Sequence, residues 1–343
     1  VAALVYLLLK SKLLPILNQT PKAYYLIAFS VLTLLVSVFS QNEKGIMSSF
    51  LIAAFLLIAL YIRNTMTARL FEAVLTVSCA ASLLSVAVII VNANYYGTIV
   101  EMVALFCIYK FNRSDSRGKL ACLFILAANL AGLYMSNSRT AMLALALSVL
   151  FYFLINRQRR ALFIAAGACL AVSAAFVLLP GMLDRITAVG TDLPMRVNIW
   201  RSAVRGVADS LVFGHGAGSY ILSCIRFGGP IHYHAHNMIL EVLLNFGIAG
   251  TGLLAVYLRD NIRGIISLRS EPDTDPVQYL AHSVIFCLII HGLTDVTLNS
   301  IQTALLFVLV LGAAGIREHA ARQLPAVRPV PAIRLKRRLD RQF

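Results

Sequence analysis

Three histidines on alternate positions, His232-Tyr-His234-Ala-His236, close the longest polar stretch of the sequence. Asn237 and an apolar run holding one acid, Glu241, follow at once. Titratable side chains therefore stand where the chain passes from water into apolar surroundings. If 238 opens a helix, its free N–H groups and positive dipole end make a binding place for a diphosphate. The same field depresses the pKa of an adjacent imidazole, and a neutral imidazole near pH 7 is what general-base catalysis requires. His236 is the candidate base. His234 stands open between an interfacial group and a participant, and His232 reads as loop. Asn237 starts the helix, and Glu241, one turn on, is placed to orient the site.

Alternate histidines also raise the question of a metal. Residues i and i+2 share an ion on a strand or an irregular loop, and a site takes three or four ligands. No supporting Cys, Asp or Glu to complete such a set is nearby in the sequence, so no metal and no cofactor are expected. The six cysteines include no Cys-x-x-Cys pair, and five lie in apolar runs, which reads as packing.

Arg139 is the one charge in Ser136-Asn137-Ser138-Arg139-Thr140, a short link between apolar runs. A snorkelling Arg is the bland reading. A guanidinium held in so tight a turn also suits bidentate binding of phosphate or carboxylate. Arg185, Arg196, Arg201, Arg205 and Arg226 share one longer segment, and the residues alone leave the choice of a second anion ligand among them open. Gly214-His-Gly-Ala-Gly-Ser219 lacks the Gly-Lys-Ser/Thr ending of a nucleotide loop and reads as a flexible turn. His282, His291 and Asp295 fall in or beside apolar runs, where ionisable groups are costly and face the bundle interior. The default for these three is a structural polar contact.

The elements that must position these groups are membrane helices. The chain is 59% hydrophobic and 13% charged, against about 25% charged in soluble domains. Apolar runs near the length a bilayer requires fall at 23–40, 46–62, 70–91, 97–112, 119–135, 140–156, 161–179, 238–258, 279–296 and 299–316. With a remnant at 1–9, where the natural N-terminus is expected to be missing, about eleven spans are seen. The net charge of +15 is concentrated in every second loop and in the tail, as a topology signal rather than a nucleic-acid footprint. The basic loops are then cytoplasmic and the alternate ones external.

Four regions follow. Residues 1–179 form an N-terminal transmembrane bundle, and 180–237 a periplasmic loop. Residues 238–316 form the C-terminal transmembrane helices, and 317–343 a basic, disordered cytoplasmic tail. Within the loop, Asp192 can cap and Pro194 can open an amphipathic helix over 194–209. Val197, Trp200, Val204 and Val207 share its apolar face, with Trp200 as an interfacial anchor. The fold class is all-α, a polytopic integral membrane bundle with one large periplasmic loop subdomain.

His236-Asn237, nine residues, then Gly247-Ile-Ala-Gly250-Thr251 resembles the signature of bacterial O-antigen ligases. Their superfamily also holds O-antigen polymerases and O-oligosaccharyltransferases. Ser-Asn-Ser-Arg139, Met-Arg196-Val-Asn-Ile-Trp200 and Gly214-x-Gly216 are similar in order and setting. The resemblance implies twelve spans and a metal-independent, inverting glycosyltransferase in the bacterial inner membrane with its active site facing the periplasm. It implies transfer of O-antigen from undecaprenyl diphosphate to lipid A–core in lipopolysaccharide biosynthesis. Arg139 and Arg196 would hold the diphosphate and His236 would assist attack. A polymerase or protein O-oligosaccharyltransferase using the same donor is the alternative; a polysaccharide transporter fits less well.

Overall fold

The computed structural model describes residues 20, 22–85, 92–178, 189–270 and 275–323, and every regular element among them is helical. They are α1 (Ala23–Phe39), α2 (Glu43–Thr65), α3 (Ala68–Ala81), α4 (Ala93–Phe111), α5 (Ser116–Ser136), α6 (Arg139–Ile155) and α7 (Arg159–Leu178). There follow α8 (Val189–Asp209), a short α9 (Tyr220–Ser223), α10 (Met238–Ser267), α11 (Asp275–Gly292), α12 (Ile301–Leu311) and α13 (Gly315–Gln323). Each of the ten expected apolar runs falls on a helix, the run at 70–91 leaving the described residues after Ser85. The remnant at 1–9 and the basic tail from 324 lie outside them, as do Arg185 and the side chain of Asp192.

Among the described residues, four helices are long and apolar enough to cross a membrane: Glu43–Thr65, Ser116–Ser136, Met238–Ser267 and Ile301–Ala320. Ala23–Phe39, Arg139–Ile155 and Pro276–Gly292 are shorter apolar helices. Large apolar side chains such as Phe50, Leu51, Leu120, Phe124, Phe163 and Leu170 point outward. In water such a surface would aggregate; it is the surface of a multi-pass membrane protein.

The centre is α4, buried continuously from Tyr96 to Cys107. It packs against α3, α5, α6, α11 and α12. Gly97 allows close contact with α6, since a Cβ there would sit 2.5 Å from that of Ala141. Small residues at such crossings let membrane helices approach within full van der Waals contact.

Three segments differ from the sequence expectation. The loop helix runs Val189–Asp209, with Pro194 inside it rather than at its start. Its buried face is Ile199, Ser202, Ala203 and Gly206, while Val204 is exposed. The helix docks on α10, and Gly206 is its closest-fitting position: a Cβ there would lie 2.6 Å from Leu244 Cδ1. Second, Arg259 and Arg263, expected in a loop, ride on the continuation of α10. Third, order extends past 317 into α13. Glu318 pairs with Arg63 at 2.7 Å, and Arg63 also holds Asp260 at 3.0 Å, tying α2, α10 and α13 together.

Candidate functional site

Helix α10 is broken. Gly247 has φ 59° and ψ −169°, non-helical values inside the helix. Only glycine adopts them without strain, and a Cβ there would meet Val212 O at 2.3 Å. The segment 211–216 fills the break from the side. His215 and Gly216 donate their N–H groups to Leu244 and Asn245 carbonyls, and Ile248 and Ala249 donate to Leu211 and Val212 carbonyls, all at 2.9 Å. Backbone groups that lose partners in an apolar setting must find others, and this segment supplies them. Gly214, Gly216 and Gly218 all have positive φ. The glycine-rich stretch read as a flexible turn is therefore a fitted splice, with Asn42 of the α1–α2 turn donating to Ala217 O at 3.0 Å.

The outer half of α10 carries the expected base. Asn237 caps it, accepting from Ile239 and Leu240 N–H at 3.0 Å each. His236 precedes the cap with φ 46°, a left-handed backbone uncommon outside glycine. Glu241 fixes that conformation from below. Its Oε2 accepts from Ala235 N at 2.7 Å and its Oε1 from Asn245 Nδ2 at 2.9 Å. Asn245 Oδ1 in turn accepts from the N–H and hydroxyl of Ser219. Trp200, expected as a lipid anchor, donates its indole N–H to the His236 carbonyl at 3.1 Å.

The residue that sequence distance hid is Asp295. It lies in the turn after α11 and is almost fully buried. Its Oδ1 is 3.3 Å from His236 Nδ1 and 3.7 Å from His234 Nδ1, and it accepts from Val296 N at 2.7 Å. Its other oxygen accepts from Asn94 Nδ2. Burial alone would raise the Asp295 carboxyl, but His236, then His234 and the Val296 N–H hold it down at about 2. His234 is pushed down to about 4, chiefly by burial and then by the charge of His236, so it is neutral at pH 7. It also accepts from the His236 N–H at 3.4 Å. Ligand atoms of His234, His236 and Asp295 lie within 4.8 Å of one another, a spacing a metal ion could use. The premise that no supporting acid accompanies the histidines fails in space, where Asp295 joins them from a distant part of the sequence.

Arg196 reaches the same place, and Arg139 is tied to it through its neighbour Ser138. Arg196 donates to the Thr294 carbonyl at 3.0 Å, one residue from Asp295. Arg139 is the first residue of α6, and its Nε is buried without a hydrogen-bond partner. A cation at a helix N-terminus opposes the dipole, so helix stability does not account for it. Ser138 beside it donates to Asn94 Oδ1 at 2.8 Å, and Asn94 donates to Asp295. Asn237 Nδ2 completes the ring by donating to the Leu293 carbonyl at 2.8 Å. Of the expected residues, His232 stands at the rim, its ring 5.3 Å from that of His236. Burial, then the charge of His236, lowers its pKa.

The arrangement sets the His236 imidazole beside the Asp295 carboxylate at a helix N-terminus, with Arg196 adjoining, a combination suited to proton transfer beside an anionic group. Residues 121–255 match the protein-family model described as O-Antigen ligase, a segment that includes Arg139, Arg196, His236 and the Gly247 break but neither Asn94 nor Asp295. No curated protein matches the chain. That match supports a place for residues 121–255 in the O-antigen ligase/polymerase superfamily, a family of glycosyl-transferring enzymes.

Proposed function

We propose that the protein is an O-antigen ligase. It transfers O-antigen polysaccharide from undecaprenyl diphosphate to a sugar hydroxyl of lipid A–core, at the periplasmic face of the bacterial inner membrane. The observation that carries the reading is His236 Nδ1 facing the Asp295 carboxylate at 3.3 Å, at the N-terminus of α10.

Asp295 holds the imidazole by Nδ1 and leaves Nε2 for the acceptor hydroxyl. That hydroxyl is a weak nucleophile; His236 takes its proton as oxygen bonds to the anomeric carbon. The bond from that carbon to the diphosphate oxygen breaks on the opposite face, so the configuration inverts. Arg139, Arg196 and the N–H groups at the start of α10 receive the negative charge of the departing undecaprenyl diphosphate. With charge stabilisation supplied by these groups, the reaction proceeds without a metal. Exposed apolar faces of the bundle give the polyprenyl chain its path, and the 189–237 segment receives the acceptor.

The test is reconstitution of the purified protein with lipid-linked O-antigen and lipid A–core in the presence of EDTA. The expected product is lipopolysaccharide bearing O-chain. Longer lipid-linked chains with no such product would instead identify a polymerase. Activity lost in EDTA and restored by zinc would reassign His234, His236 and Asp295 to a metal centre.

A further inference from the structure

A polar line descends from the site into the apolar interior. On α4, Asn94, Thr98 and Glu101 recur at intervals of four and three, one face of a helix. That face meets α11. Glu101 and His291 are fully buried, with Oε1 and Nδ1 2.7 Å apart. Cys287, one turn earlier on α11, donates its thiol to Glu101 Oε2 at 3.1 Å. Thr98 Oγ1 lies 3.4 Å from the same His291 nitrogen. The His291 carbonyl accepts the N–H groups of Thr294 and Asp295 at 3.0 and 3.1 Å, forming the turn that carries the carboxylate. At the outer end of the line, Asn94 grips Asp295 itself.

Ionisable groups at such a depth are costly, and inside membrane proteins they mark function by default. Apolar residues of equal volume would serve packing as well or better. We propose that Glu101 and His291 are positioning residues for glycan transfer, locking α4 and α11 in the register that presents the Asp295 carboxylate to His236. The proposal rests on the reading of His236 and Asp295 as base and orienter. Asn94–Asp295 is one fastening between the two helices, and Glu101–His291 is a second about 10 Å deeper on α4. One fastening leaves α11 free to turn about it; two set both rotation and height.

The experiment compares E101A, E101Q, D295N and E101A/D295N in the full chain, assayed for transfer from lipid-linked donor and normalised to folded protein. E101A is expected to lower kcat about tenfold with donor KM within about twofold, and E101Q, which keeps the shape and an acceptor for His291, to recover most of it. Because Glu101 acts through Asp295, the double variant is expected to be no slower than D295N. Losses that multiply in the double variant overturn the proposal, as does an E101A defect confined to the yield of folded protein. Should E101A fail to fold, H291Q carries the same expectation: a lower kcat that D295N masks. A D295N enzyme with full activity would refute the His236–Asp295 reading instead.

Discussion

At the scale of single residues, His236 joins reactivity to a strained backbone. A left-handed conformation outside glycine costs about 1–3 kcal/mol and persists at functional sites where surroundings hold it. Asn tolerates that conformation better than other side chains. H236N is therefore expected to keep or slightly raise the melting temperature while transfer falls about 10²-fold or more; an active H236N would remove His236 from the mechanism. His234 gives a stability signature. Its pKa falls from 6.5 to about 4 on folding, so between those values the unfolded chain binds a proton that the folded one refuses. Stability is then expected to decline as pH drops from 6.5 to 4, by about 3 kcal/mol at most. H234Q should flatten that slope in thermal melts. Asp295 contributes in the same sense at lower pH. Its folded pKa is depressed from 3.8 to about 2, so its contribution is complete above 3.8 and is lost only as pH falls toward 2. His236 and Arg139 stood out as candidates because His at a span entry and a lone Arg in a short turn between apolar runs are chemically conspicuous. Arg196 needed the family pattern to separate it from its neighbours. Asp295 was visible as an acid beside a span, yet nothing in the local sequence ties it to residue 236; only the packing of α11 against α4 and α10 does.

At the scale of elements, apolar periodicity located the helices because a membrane helix is specified by length and hydropathy alone. It failed where tertiary contact decides. The break at Gly247 lies within an unbroken apolar run, and the buried face of α8 is set by what Gly206 admits rather than by its valines. In G247A a methyl group would be driven against the Val212 carbonyl. The expected loss is about 3 kcal/mol or more of stability, read as a lower melting temperature in detergent and aggregation on gel filtration. A G247A protein as stable as the parent would mean that 211–216 does not splice into α10.

At the scale of the whole molecule, the alternation of basic and charge-poor loops assigns one outer face to Asn42, Asn137, Tyr233 and Asp295 and the opposite face to Arg113 and Arg157. A cysteine at Tyr233, which is 81% exposed, is expected to react with a membrane-impermeant maleimide in intact spheroplasts. One at Arg157 should react only after lysis, and the reverse pattern would invert the topology. The splice at the α10 break also bears on how the chain is made. Residues 211–216 are synthesised before 244–249, so on the proposed topology they precede the break to the outer face. The incoming helix meets a waiting partner for the four backbone bonds it cannot make for itself. A circular permutant that delivers 238–267 ahead of 189–237 should insert poorly even though its finished contacts would be the same.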